Sequence, residues 1–271
     1  MQIRRYADPQ LFLDHCKEWL LRDELRNSTI LSVLHLLAQD GHPFDTPFYL
    51  AIVENDKGIA GCAVRAPPDP LILSDMPLDA MPLLVEDVAR VYDVLPTITG
   101  MDDEVETFAR SWEERCGLSH GAKIHWRWYA VDRVVMPASP VPGQLRLASK
   151  ADLALIRDWG PRFAKEIDTS VDVVAFYERR LESESLYLWN DGVPRTVAAV
   201  SGITPNSIRI SGVYTAPEYR RHGYASAAVA SVSQLMLDAG HRFCVLFTET
   251  SDPSANRLYR SIGYKPIFDK V

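Results

Sequence analysis

The sequence predicts a mixed α+β fold: a mostly antiparallel sheet with helices on both faces, preceded by a second, smaller-patterned α/β half. Three observations predict it. Apolar runs at 186–189, 196–203 and 208–215 follow one another with Asn190-Asp191-Gly192 and Pro205-Asn206-Ser207 as turns, which is the pattern of a meander. A helix–strand–helix–strand succession then closes the chain over 223–239, 243–248, 254–262 and 265 onward. The length, 271 residues, is ample for two cores.

From the N-terminus, helical periodicity covers 10–25 and 31–39, and recurs at 81–95 and 103–116. Between these pairs, 48–53 and 58–64 read as two strands around the turn Asn55-Asp56-Lys57. The stretch 122–135 alternates like a strand and puts Trp126, Trp128 and Ala130 on one face. Met136-Pro137-Ala138-Ser139-Pro140-Val141-Pro142-Gly143 can neither continue a helix nor lie inside a sheet, so it reads as the linker between domains at 1–136 and 143–271. Beyond it, 144–148 is a short strand, and 152–166 and 170–182 are helical. The strand pairs 48–64 and 186–203, each next to helical stretches, form a weak internal echo, so that the first half could be a diverged copy of the second.

Hydrophobic residues make up 47% and charged residues 24%, the balance of a soluble globular chain, and no apolar run approaches the ~20 residues of a bilayer span. With no signal-peptide core behind Arg4 and Arg5, the expected location is the cytoplasm, away from membranes. Cys16, Cys62, Cys116 and Cys244 show neither CxxC nor histidine spacing, so no metal is expected, and Cys62 and Cys244 read as buried thiols. The net charge of −7 is divided as −9 over 1–141 and +2 over 142–271. Such an acidic half disfavours nucleic acid and suits a cationic acceptor, or simply a solvated surface.

The most informative stretch is Val213-Tyr214-Thr215-Ala216-Pro217-Glu218-Tyr219-Arg220-Arg221-His222-Gly223-Tyr224-Ala225-Ser226. A strand ends in a proline turn and an amphipathic helix begins at a glycine, with Ala225, Ala228, Val229, Val232, Leu235, Met236 and Ala239 as its apolar stripe. Free N–H groups and the positive dipole end at such a helix start make an anion site, most naturally for a pyrophosphate. A second element, Asp252-Pro253-Ser254-Ala255-Asn256-Arg257-Leu258-Tyr259-Arg260-Ser261-Ile262-Gly263-Tyr264, carries a cap, a first-turn proline and a terminating glycine, with Asn256 one turn from Tyr259.

Arg220, Gly223 and Ala225 match the (Gln/Arg)-x-x-Gly-x-(Gly/Ala) motif of GNAT N-acetyltransferases, and Asn256, Tyr259, Gly263 and Tyr264 match that family's late Asn-x-x-Tyr-x-x-x-Gly-(Phe/Tyr) pattern. The C-terminal half therefore resembles the GNAT superfamily, and the first half is similar to the N-terminal domain of two-domain GNAT proteins, including glycine acyltransferase-like relatives. The resemblance implies acetyl-CoA, or another acyl-CoA, held by Val213, Tyr214 and Thr215 on the strand, by Arg220, Arg221, His222, Gly223, Tyr224, Ala225 and Ser226 on the loop, and by Asn256 and Tyr259. It implies Tyr259 as general acid to the leaving thiolate. The first half lacks such a glycine loop and is not expected to bind the same cofactor.

Direct attack by an amine would have the thioester oxygen polarised by the N–H of Tyr214 or a neighbour. Glu249 is the foremost acidic candidate for the base, with Glu166 and Asp168 as alternatives that could instead bind a cationic acceptor. His222 is expected to contribute its amide rather than its ring. His120 and His125 have no carboxylate at a matching spacing, and Cys244 has no partner that would make it a nucleophile. The expected partner is a small-molecule amine, since a second domain would narrow an open groove; a peptide acceptor and a non-catalytic acyl-CoA sensor are the competing readings. A monomer and a homodimer are both compatible with the sequence.

Overall fold

The computed structural model describes residues 1–39, 47–167 and 171–271. Asp168 and the first residue of the expected helix at 170–182 lie outside the described residues. Contacts divide the chain into two compact units: Met1–Arg127 with Gly202–Thr204 and Phe268–Val271, and Trp128–Ser201 with Pro205–Ile267.

The first unit runs β1 (Gln2–Arg5), α1 (Pro9–Leu20), α2 (Ser28–Leu37), β2 (Tyr49–Asn55), β3 (Gly58–Arg65), β4 (Leu71–Leu73), α3 (Met81–Val88), β5 (Ile98–Thr99) and α4 (Asp102–Cys116). Its sheet has the order β1-β2-β3-β4-β5, antiparallel up to the parallel β4–β5 pair. Alternation along β2 and β3 feeds two cores. Tyr49, Ala51, Val53 and Ala63 face α3 and the Phe108–Trp112 side of α4, whereas Leu50, Ile52, Cys62 and Val64 face Phe12, Cys16 and Leu34 of α1 and α2.

The second sheet contains β6 (Trp126–Val131), β7 (Gln144–Leu147), β8 (Leu186–Asp191), β9 (Val193–Ser201), β10 (Ser207–Thr215), β11 (Phe243–Glu249) and β12 (Lys265–Lys270), in the order β12-β6-β11-β10-β9-β8-β7. Its helices are α5 (Leu153–Glu166), α6 (Val173–Glu182), α7 (Tyr224–Asp238) and α8 (Pro253–Ser261). Ile208, Ile210, Cys244 and Leu246 turn toward Val229 and Val232 of α7 and Ile262 beyond α8. Leu186, Leu188, Val197, Ala199 and Tyr214 turn the other way, toward Ile156 and Trp159 of α5 and Tyr177 of α6. The cofactor-type elements α7 and α8 thus share one face of the sheet, and α5 and α6 cover part of the other.

Both units repeat one connectivity, β-α-α-β-β-β-α-β-α, with equivalent strand neighbours and a parallel pair at the same place, β4–β5 and β10–β11. The internal echo in the sequence corresponds to this repeated topology. The copies differ where chemistry would need room: β4 and β5 span three and two residues, against nine and seven for β10 and β11.

Several elements depart from the periodicity. β1, β4 and β5 are too short to show a period. The helix expected to reach 95 stops at Val88, where Arg90 N–H turns to Asp87 and Val91 N–H to Val88; Pro96 bars its predecessor from helical geometry. The strand expected at 122–135 is confined to β6 and sits in the second sheet between β11 and β12, so the division falls before the proline-rich segment rather than in it. On α7, Leu235 is exposed and Ala227, Ala230 and Ser233 take buried places. All four cysteines are free thiols, with Cys16, Cys62 and Cys244 buried. His120 does find a carboxylate, Glu113, at 2.9 Å across the end of α4.

Candidate active site

The site begins with a defect in β10. Ser211 pairs with Ala199 and Tyr214 with Val197, so Gly212 and Val213 together oppose the single residue Ala198. This is a β-bulge, which leaves ladder groups unpaired and bends the strand. Gly212 has φ +57°, and a Cβ there would lie 2.8 Å from Phe176 and 2.9 Å from Tyr177, so only glycine fits. Its carbonyl accepts the buried Tyr177 hydroxyl at 2.8 Å.

On its other edge β10 pairs with β11 only at Ser207–Phe243, Ile208–Cys244 and Arg209–Val245. Beyond Arg209 the two parallel strands have no further paired residues, although both continue, to Thr215 and Glu249. A wedge therefore opens in the middle of the sheet, bordered by the bulge on one strand. Val213 and Thr215 lie along it, and Thr215 is pinned through its hydroxyl to Thr196 at 2.8 Å. Tyr214 points the other way, packing on Trp159 and Phe163. Tyr214 also pairs with Val197, so the bulge residues Gly212 and Val213, rather than Tyr214, are the ones released from the ladder.

After Thr215 the chain turns through a short 3-10 segment, Pro217–Tyr219, into the loop that starts α7. Arg220 does not face outward from it. Its Nε donates to the Thr215 carbonyl at 2.9 Å, and its terminal nitrogen binds both oxygens of Glu166 at 2.7 and 2.6 Å. Arg221 at φ +68° and Gly223 at φ +84° are both left-handed, an unusual state for arginine. His222 folds its ring back, with Nδ1 2.7 Å from the Arg220 carbonyl. No side chain caps α7, and among the described residues the amides from Arg221 to Ser226 have no protein acceptor. Six consecutive orphan donors around a helix start form an anion cradle, strengthened by the helix dipole.

Beside this cradle lies a cavity of about 460 Å³, lined by Pro137 to Val141, His222, Gly223 and Ser226, with Ser261 and Ile262 at the end of α8. The proline-rich segment is thus a wall of the second unit. Val141 Cγ2 is 3.0 Å from where a Cβ on Gly223 would lie, which leaves no room for a side chain there.

α8 begins at Asp252, whose carboxylate accepts from the amides of Ser254 and Ala255. Asn256 is fully used as a donor: its Nδ2 binds the carbonyls of Glu249 and Asp252, and its Oδ1 accepts the Tyr129 hydroxyl at 2.6 Å. It ties α8, the end of β11 and β6 together, and one lone pair of Oδ1 remains for a ligand. Tyr259 stacks in a tilted geometry between Tyr129 and Tyr264, each at 6.1 Å, and its hydroxyl has no hydrogen-bond partner among the described residues. Burial pushes its pKa up, with the Asp252 and Tyr129 charges adding to the shift, so it keeps its proton well beyond neutral pH.

Glu249 is the last residue of β11, not a residue following it, and accepts from Ser251 at 3.0 Å. Glu166 is committed to Arg220. Among the described residues no three His, Cys, Asp or Glu side chains are placed to hold a metal ion, and no helix is long and apolar enough to cross a membrane. The sequence reading missed Gly212 and Tyr177. A lone glycine inside an otherwise apolar strand was the available signal for the bulge.

Residues 153–264 match the model of the Acetyltransferase (GNAT) family. No curated protein matches the chain. Solved structures with similar folds include a Drosophila protein at 11% identity, covering 99% of this chain and 96% of its own, with a TM-score of 0.73. An acetyltransferase of the GNAT family from Colwellia psychrerythraea follows at 13% identity, with 100% and 97% covered and a TM-score of 0.59. A tandem GNAT protein from the clavulanic acid biosynthesis pathway has 13% identity, 99% and 96% covered, and a TM-score of 0.58. The resemblance of the C-terminal half to GNAT acetyltransferases holds, and the likeness of fold extends over both halves.

Proposed function

We propose that the second unit, whose residues 153–264 match an acetyltransferase family, transfers the acyl group of acetyl-CoA or a related acyl-CoA to the amine of a small molecule by direct attack. The observation that carries this reading is the pairing of an open wedge beyond Arg209–Val245 with six acceptor-free amides at Arg221–Ser226. An extended thioester needs a slot that supplies strand-type hydrogen bonds, and its pyrophosphate needs orphan N–H donors. Both stand on the α7 and α8 face, next to the cavity at Gly223 and Ser226.

In this reading Val213 and Thr215 bind the arm, and Arg221, His222, Gly223, Tyr224, Ala225 and Ser226 hold the pyrophosphate through their amides. Arg220 acts by pinning the loop to Thr215 and Glu166. The released N–H of the bulge, at Gly212 or Val213, faces the developing oxyanion; Tyr214 serves through its position beside it. Tyr259 donates its proton to the departing thiolate, and Glu249, at the wedge mouth, takes the proton from the amine. Asn256 sets the turn that carries Glu249 toward α8.

Calorimetric titration with acetyl-CoA, together with thiol release across an amine panel, tests the proposal. Saturable binding accompanied by amine-dependent release is the expected result. Binding without release for any amine and several acyl chains would convert the reading to that of a sensor.

A further inference from the structure

The loop that supplies the orphan amides is strained and has to be held. Arg221 at φ +68° occupies the left-handed region, which persists in a non-glycine residue only where its surroundings fix it. Arg220 fastens one side, through Thr215 and Glu166. The other side rests on Arg195 of β9. In the β8–β9 ladder Trp189 pairs with Thr196 and Asn190 with Pro194, so Arg195 is the unopposed residue of a further bulge. Its guanidinium carbon lies 4.3 Å from the ring centre of Tyr219 and 5.8 Å from that of Tyr224. Tyr219 ends the 3-10 segment before the loop and Tyr224 is the first residue of α7 after it, so one side chain meets both ends of Arg220–Gly223.

Asp191 completes the brace. Its carboxylate accepts the Tyr224 hydroxyl at 2.8 Å, and its carbonyl accepts from Arg195 at 3.1 Å. The Arg195 side chain is 22% exposed, its carboxylate partner Asp191 is 3.8 Å away, and its buried Nε has no acceptor among the described residues. Ring faces therefore hold the guanidinium, which suits the planar, weakly hydrated head of arginine. Trp189, Ala227 and Ala228 pack around Tyr224, and the His222 ring stacks on it at 5.8 Å. Resting on the acyl-CoA reading above, we infer that Arg195 is a positioning residue for the pyrophosphate. Through Tyr219 and Tyr224 it holds Arg221–Ser226 in the conformation that turns their amides to one anion, and it acts through these rings rather than by touching the cofactor.

The experiment uses the full chain. Calorimetry measures acetyl-CoA and inorganic pyrophosphate binding, and turnover compares acetyl-CoA with S-acetylpantetheine, which carries the thioester and arm without the pyrophosphate. Arg195→Gln should weaken both acetyl-CoA and pyrophosphate about tenfold, the order set by two partly buried cation–ring contacts. The KM for acetyl-CoA should rise by the same factor, while kcat and the KM for S-acetylpantetheine stay within about twofold of the parent. Arg195→Lys keeps the charge without the planar fork and should recover part of the affinity. Tyr219→Leu removes a ring but keeps an apolar side chain, and should reproduce the loss; it decides the matter if Arg195→Gln does not fold. Unchanged pyrophosphate affinity in these variants would overturn the inference. An equal loss with S-acetylpantetheine would also overturn it, because a general loosening of the fold affects both donors. A parent that binds pyrophosphate but not acetyl-CoA would remove the acyl-CoA reading alone, and the Arg195→Gln effect on pyrophosphate would still decide the brace. Binding of neither by the parent would overturn both.

Discussion

The Tyr177 hydroxyl donates to the Gly212 carbonyl at 2.8 Å and so fixes the one residue pair that interrupts the β9–β10 ladder. The bulge, on the strand that borders the wedge, is held from behind by a fully buried tyrosine of α6. Tyr177→Phe leaves that carbonyl without its donor and should cost about 1–3 kcal/mol in urea unfolding. Gly212→Ala combines a left-handed φ with contacts under 3 Å to Phe176 and Tyr177, and should cost more, about 2–4 kcal/mol. If the bulge carries the oxyanion donor, Tyr177→Phe also lowers kcat while the Kd for acetyl-CoA stays near its original value. Equal stability of both variants with the parent would remove the bulge from the argument.

Tyr259 tests the leaving-group step. Its raised pKa keeps the hydroxyl protonated across the neutral range, so the kcat profile should show no descending limb attributable to this group up to about pH 10. Tyr259→Phe should lower kcat by about 100-fold, the lower range for a positioned acid, with little change in acetyl-CoA affinity. An unchanged kcat would exclude the role.

Arg220 separates loop architecture from stability. Its partner Glu166 is partly exposed, so the ion pair itself contributes under about 1 kcal/mol to folding. The bond from Nε to Thr215 nonetheless closes the loop whose amides point outward. Arg220→Ala should therefore leave the urea midpoint nearly unchanged and weaken acetyl-CoA about tenfold by calorimetry. A lowered midpoint with unaltered affinity would mean that the arginine braces the fold only.

The motifs at Arg220–Ala225 and Asn256–Tyr259 were legible because helix starts and caps are local: proline, glycine and aspartate announce them within a few residues. The wedge was not, because it is a property of pairing between strands 36 residues apart at Arg209–Val245. Asn256 illustrates the same limit. Its place in the pattern was visible, but its donors belong to Glu249 and Asp252 and its acceptor serves Tyr129, 127 residues away. The proline-rich segment was read as a linker between domains from composition alone, yet Val141 packs toward Gly223 and the segment walls the cavity. Trp128 read correctly as a member of one strand face, while the sheet that receives that strand could only come from long-range pairing.

Lys270 supplies a pH test in the first unit. Its side chain is buried, Nζ donates to the Arg26 carbonyl at 2.8 Å, and burial lowers its pKa to about 8 despite the raising effect of Asp75. In the unfolded chain a lysine titrates near 10.4. Between the two values the unfolded state binds more protons than the folded one, so stability rises with pH across that window and is lost as pH falls through about 8. Cys62, raised by its Cys16 hydrogen bond and burial, and Cys244, raised by burial, oppose this within the same window, because their thiols ionise there only in the unfolded chain. The Lys270 contribution is therefore read as the difference in urea unfolding between the parent and Lys270→Met, which should grow by about 1–2 kcal/mol from pH 8 to 9.5. The buried tyrosines Tyr49, Tyr177 and Tyr264 have raised values and act in the opposite sense, but only above the ordinary tyrosine range near 10, outside the window. Lys270→Met removes the titrating group and keeps the apolar stem, so only the downward slope of the thiols should remain in it. A parent-minus-variant difference that stays constant between pH 8 and 9.5 would assign the effect to another group.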